Sequence, residues 1–219
     1  MNQKQVPDFL IQAGVPKEKI IYIPAIYIDP NVFRPMNLPK EYDVIFVGRL
    51  VKNKGIDLLL ETASKLKAQI LNFKMIIIGD GVLKEDLKFK IENLKLQDNV
   101  LLYGWAKDSH EIAGLLNKSK VLIMPSYNEG GPRVVVEAMA CGVPVLATPV
   151  GIVPDLLKNG LGGEIIAWEA HDIAQKASGL LNDPDKYRKY GHGGLEIAGQ
   201  FEKKEAIKNY AEKLREILR

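Results

Sequence analysis

Cysteine, histidine, net charge and long apolar runs are all scarce in this chain, and each scarcity removes a class of protein. One cysteine among 219 residues, Cys141, leaves no internal disulfide framework. Its apolar surroundings read as a buried structural thiol rather than a reactive one. The three histidines, His110, His171 and His192, are scattered and polar-flanked. None pairs with a cysteine or a second histidine at ligand spacing, so no metal site is expected. No apolar run reaches the ~18 residues of a membrane span, and no signal peptide is visible, which reads as a soluble, cytoplasmic chain. A net charge of +3, with no Lys/Arg block interleaved with aromatics, argues against nucleic acid as a partner. No internal repeat or low-complexity tract stands out. What remains is ordinary globular material, long enough for one large or two small domains.

Short apolar runs alternate with amphipathic ones. Tyr42–Val47 (YDVIFV), Lys74–Ile78 (KMIII), Val100–Tyr103, Val121–Met124 and Val143–Ala147 read as strands covered on both faces. Between them, Ile56, Leu59, Leu60, Ala63 and Leu66 fall on one helical face. Leu83–Leu94, His110–Leu116 and Pro132–Cys141 are further helix candidates, the last with Pro132 at its start and Gly142 past its end. Strand–helix alternation predicts an α/β fold, a doubly wound, Rossmann-like parallel sheet flanked by helices. The flanks differ. Residues 1–41 carry an isolated strand-like run, Lys19–Ala25, and too few apolar partners for a core of their own. Residues 168–219 read as mostly helical, with an apolar stripe of Ala206, Ile207, Tyr210, Leu214, Ile217 and Leu218.

In a doubly wound sheet, ligands bind at the carboxyl ends of the strands. Three loops at such ends are unusual. In GRLVKNKG (Gly48–Gly55), Gly48 ends a strand and Arg49 and Lys54 flank the opening of a helix. A helix N-terminus favours anions, Arg offers a bidentate fork and Lys a point charge, so the loop could hold a diphosphate. Solvated loop cations are the plain alternative. In IIGDGVLKEDL, Gly79 and Gly81 resemble the start of a dinucleotide fingerprint whose third glycine is replaced by Lys84. A tight strand–helix turn without a ligand would look the same.

The third loop, Ser126–Gly131, precedes a helix containing Val134–Val136, of poor intrinsic helix propensity. Such a helix is held by burial, so Glu137 within it needs partners. A vicinal diol such as the 2′,3′-hydroxyls of a ribose would satisfy it; so would an ion pair with a nearby Lys or Arg. Glu129 sits where a sugar hydroxyl or a positive group approaches, and Gly130 and Gly131 leave backbone amides open. Ser126 lacks a Gly-x-Ser-x-Gly elbow, which argues against a hydrolase triad. Asp183-Pro184-Asp185 reads as a helix cap rather than a metal-binding D-x-D.

Glu129-x7-Glu137 within PSYNEGGPRVVVEAMACGVPVLATPVG resembles the signature of retaining glycosyltransferases of family 4, formerly glycosyl transferase group 1, whose fold is GT-B. VGRLVKNKGIDLLLETASKL and IIIGDGVLKEDL resemble two further blocks of that family in the same order, so the likeness covers roughly residues 42–168. The resemblance implies roles. Arg49 and Lys54 would hold the donor diphosphate beside Gly48 and stabilise the leaving nucleoside diphosphate. Glu129, Gly130, Gly131 and Pro132 would hold the donor sugar, and Glu137 the ribose. The turns at Gly79, Gly81 and Gly104, with Trp105, would line the base. The donor would be a nucleoside diphosphate sugar, with no cofactor and no metal.

Two departures bear on this. The family's Glu-Gly-Phe-Gly loop is Glu-Gly-Gly-Pro here, and Pro132 removes a backbone donor. The family's Pro-Asn-Gly-Val-Asp segment is PAIYIDPNVFRP (24–35). The resemblance also implies a second, acceptor-binding half, absent here. Residues 1–41 would then be a linker or tail of that half, 42–185 the nucleotide-sugar-binding domain, and 186–219 helices packing back toward it. On this reading the isolated domain is inactive in transfer, and any membrane association would come through the other half. A nucleotide-sugar epimerase of the same architecture and a non-catalytic nucleotide-sugar-binding module are the competing readings; an NAD-dependent dehydrogenase is opposed by the missing third glycine.

Overall fold

A computed structural model of the chain describes residues 5–21 and 26–217. Six strands form one parallel sheet: β1 (Tyr42–Val47), β2 (Met75–Ile78), β3 (Val100–Gly104), β4 (Ser119–Met124), β5 (Val145–Ala147) and β6 (Gly163–Ile165). Their order is β3-β2-β1-β4-β5-β6, and every neighbouring pair is parallel. This is the doubly wound order, in which the chain reverses its direction of travel between β1 and β4. The strands form where β-branched and apolar residues run together. All four residues of β2 are buried, as are the central four of β1, because helices cover both faces.

The covering helices are α2 (Ile56–Gln69), α3 (Lys84–Asn93), α4 (Ser109–Asn117), α5 (Arg133–Ala140), α6 (Val153–Leu157), α7 (Ala170–Leu181) and α8 (Pro184–Gly199). One core layer lies between the sheet and α2, α3 and α7, and includes Leu59, Leu66, Phe73, Ile77 and Ile173. The other lies against α4, α5 and α6, and includes Ile45, Leu122, Val136, Met139 and Val153. Each fully buried aliphatic side chain contributes about 1.5–3 kcal/mol. α5 has three successive valines, two of them wholly buried, so packing rather than propensity holds it. α8 lies on α5 at close range because buried glycines face it, with Gly194 bringing its backbone to Met139.

The strand and helix expectations agree with this fold to within a residue or two at most ends. β6 and α6 were not anticipated. The strand-like reading of Lys19–Ala25 is corrected in part. Lys19 closes a 3-10 turn over Lys17–Lys19 and Ile20–Ile21 form no strand, since no neighbouring edge pairs with them; residues 22–25 lie outside the described residues. The leading segment also holds α1 (Gln5–Gln12) and then feeds Ile26, Ile28 and Phe33 into the core. Ile28 is fastened to the junction of α8 and α9 (Lys203–Ile217) by two backbone bonds, from Ile28 N to Phe201 O at 2.8 Å and from Lys203 N to Ile28 O at 2.9 Å. The boundary expected after residue 185 falls inside α8. Asp183 caps α8 as expected, accepting from the amides of Asp185 and Lys186. Leu218 of the anticipated stripe lies outside the described residues. No helix among the described residues is long and apolar enough to cross a membrane.

Candidate functional site: a charged crevice at the switch point

A crevice of about 340 Å³ opens at the carboxyl ends of β1 and β4, where the winding reverses. Gly48, Arg49 and Lys54 line one wall; Ser126, Glu129, Gly131, Pro132, Arg133 and Glu137 line the other, with Trp105 at the rim. Open α/β sheets leave room for a ligand at this point because the two connecting loops run to opposite faces.

Backbone geometry brings the first wall to the second. Gly55, at the start of α2, has φ 68°, and a Cβ there would stand 2.2 Å from the Pro125 carbonyl oxygen. Only glycine allows that approach. Tyr127 N adds a bond to Asn53 O at 2.8 Å. Lys54, just before this contact, therefore reaches across the crevice and donates to Glu129 Oε1. Ser126 Oγ donates to the same oxygen at 2.9 Å. Both charged side chains are mostly buried, at 17% and 14% exposure. Arg49 is exposed and forms no ion pair among the described residues, so it stands as an uncompensated cation at the mouth.

Glu137 lies one turn into α5 with its side chain 12% exposed. Burial raises its carboxyl above the ordinary glutamate range, and the Arg133 guanidinium opposes the shift. Arg133 Nε is 3.3 Å from Glu137 Oε1, and its guanidinium lies 5.3 Å from the centre of the Tyr27 ring. Of the two partners anticipated for Glu137, the ion pair is the one that the structure shows. α5 opens into the crevice with no acidic residue in its first turn and no side chain capping it. That leaves its N-terminal partial charge available to an anion.

The remaining expected residues fall at the margin. Gly79 and Gly81 do not line the crevice. They sit behind it, against the backbone of the first wall: a Cβ on Gly79 would be 1.9 Å from Gly48 O, and one on Gly81 would be 2.5 Å from Leu50 O. Gly104 accepts from Gly79 N at 2.8 Å, which ties the β3 end into the same stack of loops. Gly130 is exposed beside the lining. Arg133 and Tyr27 were not singled out from the sequence; the i,i+4 spacing of Arg133 and Glu137 was the available signal. For Ser126 the sequence shows only that a nucleophile elbow is lacking.

The family model described as "Glycosyl transferases group 1" matches residues 30–197, most of the chain. The chain belongs to this family. It is 32% identical over 177 residues to the putative colanic acid biosynthesis glycosyltransferase WcaL of Escherichia coli, covering 76% of this chain and 43% of that protein. Solved structures share the fold. The Anabaena HepE structure in complex with UDP and glucose superposes with TM-score 0.85 at 24% identity, over 98% of this chain and 61% of that one. The C-terminal domain of a group 1 protein, LpcC of Francisella tularensis, superposes with TM-score 0.72 at 23% identity, over 79% of this chain and 97% of that domain. The chain is thus a GT-B-type Rossmann-like unit. It spans about two fifths of the length of the curated relatives it matches first.

Proposed function

We propose that this chain is the nucleotide-sugar-binding half of a retaining glycosyltransferase, a hexosyltransferase that moves a sugar from a nucleoside diphosphate to an acceptor hydroxyl. The observation that carries the reading is the crevice at the switch point, where Arg49, Lys54, Glu129 and Glu137 converge on a volume suited to a small anionic ligand. HepE, of the same fold, holds UDP and glucose.

In this reading the donor diphosphate lies between Arg49, Lys54 and the start of α5. As the bond from the anomeric carbon to the diphosphate breaks, negative charge grows on the leaving phosphate. Cations already in place stabilise that charge without reorganising. Lys54 then exchanges Glu129 for phosphate, and Glu129 is released to accept hydroxyls of the sugar. Glu137 exchanges Arg133 for the ribose diol. Gly130, Gly131 and Pro132 line the sugar, and Trp105 borders the base with Gly79, Gly81 and Gly104 setting the loops behind it. The diphosphate charge is met by the protein's own cations and helix terminus, with no cofactor assigned. The acceptor is bound by a second half, toward which α9 turns its stripe. Ile207, Tyr210 and Leu214 of that stripe are exposed, which supports such packing. The isolated chain then binds donor and does not transfer it.

Calorimetry of the chain against UDP, GDP and ADP, and then their sugar conjugates, tests this. One nucleotide is expected to bind selectively. Arg49→Ala with Lys54→Ala, and separately Glu137→Ala, should each weaken it by about tenfold or more, the scale of losing a charge-assisted contact. A folded chain that binds no nucleotide would sink the proposal.

A further inference from the structure

We infer that Ser126 is a positioning residue for the donor sugar. Its hydroxyl aims the Glu129 carboxylate, and Thr148 and Trp168 hold Ser126 in turn. The inference rests on the donor-site reading above and adds residues to it.

Ser126 is fully buried, as is Thr148. A buried hydroxyl or carbonyl is costly unless bonded, and here the groups satisfy one another. The Ser126 carbonyl accepts from Thr148 Oγ1 at 2.5 Å and from Trp168 Nε1 at 3.1 Å. Ser126 follows β4, Thr148 follows β5 and Trp168 follows β6. One peptide oxygen therefore joins the carboxyl ends of three adjacent strands. The side chain of the same residue passes that constraint on, donating to Glu129 Oε1.

Lys54 donates to the same oxygen from the opposite wall. Glu129 is thus held twice. A diphosphate competes for the Lys54 ammonium, because a phosphate oxygen is an acceptor of at least equal charge. Once it arrives, Ser126 is the donor that keeps Glu129 aimed at the sugar. The Ser126 hydroxyl should therefore count little toward folding, nothing toward the bare nucleotide, and most when a sugar is attached. A purely structural serine would show a different pattern, with stability and both ligands affected alike.

The test is calorimetry of the whole chain with four pairs of probes: UDP and UDP-glucose, UDP and UDP-GlcNAc, GDP and GDP-mannose, ADP and ADP-glucose. The readout is the ratio of Kd for the nucleotide to Kd for its sugar conjugate. For the pair that the wild type prefers, Ser126→Ala should lower this ratio about tenfold, ~1.4 kcal/mol, while the bare nucleotide binds within about twofold of wild type. Ser126→Thr should restore the ratio. Trp168→Phe, which removes one donor to the Ser126 carbonyl, should lower it by about threefold. It carries the test by itself if circular dichroism shows Ser126→Ala unfolded. An unchanged ratio, or equal weakening of both ligands, overturns the role of Ser126. So does a wild type that binds nucleotide without any preference for the conjugate. A wild type that binds no nucleotide overturns the donor reading itself, a different result.

Discussion

Glu137 should cost the fold stability once it is ionised. Burial raises its carboxyl above the usual range, so the folded state holds the proton more tightly than the unfolded state does. Stability should then fall as pH rises from the ordinary glutamate range through the raised folded pKa, and stay lowered above it. Glu137→Gln should remove that loss. At pH 8 its melting point should exceed wild type by about 2–4 °C for each ~1 kcal/mol recovered, while at pH 4 the two should converge. The same variant should bind nucleotide at least about tenfold more weakly, which calorimetry would register. Cys141 shows burial acting on a group with no such task. Its thiol is pushed up to about 12 by desolvation, with Glu137 adding to the shift. It should therefore resist aromatic disulfide reagents at pH 8 and react promptly once the chain is denatured. Both residues were recognisable in the sequence as buried. Their partners were not, because a side-chain pairing depends on rotamers and neighbours that spacing alone leaves open.

The elements that shape the crevice depend on a few backbone approaches. Gly79 has φ 142° and faces the Gly48 carbonyl. Gly79→Ala should cost about 2–4 kcal/mol in urea unfolding. It should also weaken nucleotide binding, because the Gly48–Arg49 backbone is what the new methyl would displace. Asp183→Ala makes the control. It removes the cap of α8 at a cost of ~1 kcal/mol and should leave nucleotide affinity unchanged, since α8 starts away from the crevice lining. β1 and β2 were readable from continuous apolar runs and α2 from its period. β6 reads Gly-Glu-Ile and offers no apolar run, and α6, with five residues, is too short to show a period. They exist because β5 and the second core layer supply their partners.

At the scale of the molecule, the two apolar layers share one sheet, so neither can unfold while the other stands. Thermal unfolding should be a single transition with matching calorimetric and van't Hoff enthalpies; two resolved transitions would contradict a shared core. α9 should lie outside this cooperativity. Replacing Ile207, Tyr210 and Leu214 by serine should shift the isolated chain by less than ~1 kcal/mol, as substitutions at exposed positions do. In the longer protein of the proposed function, the same triple variant should lose transfer activity or stability.

The sequence by itself determined the class of fold, the end of the sheet where a ligand belongs, and the types of residue that would meet it. Those follow from hydrophobic period, from glycine at strand ends and from carboxylates inside apolar runs, all local properties. Only the tertiary structure decided which charges face one another. Lys54 meets Glu129 because Gly55 lets two loops 75 residues apart in sequence close to contact. Arg133 folds back on Glu137 because a helical turn places them side by side. Ser126 meets Thr148 and Trp168 because three parallel strands end together. The Arg133–Glu137 pair is local to one helix; the other contacts join segments far apart in sequence, and a local pattern carries no record of the distance between them.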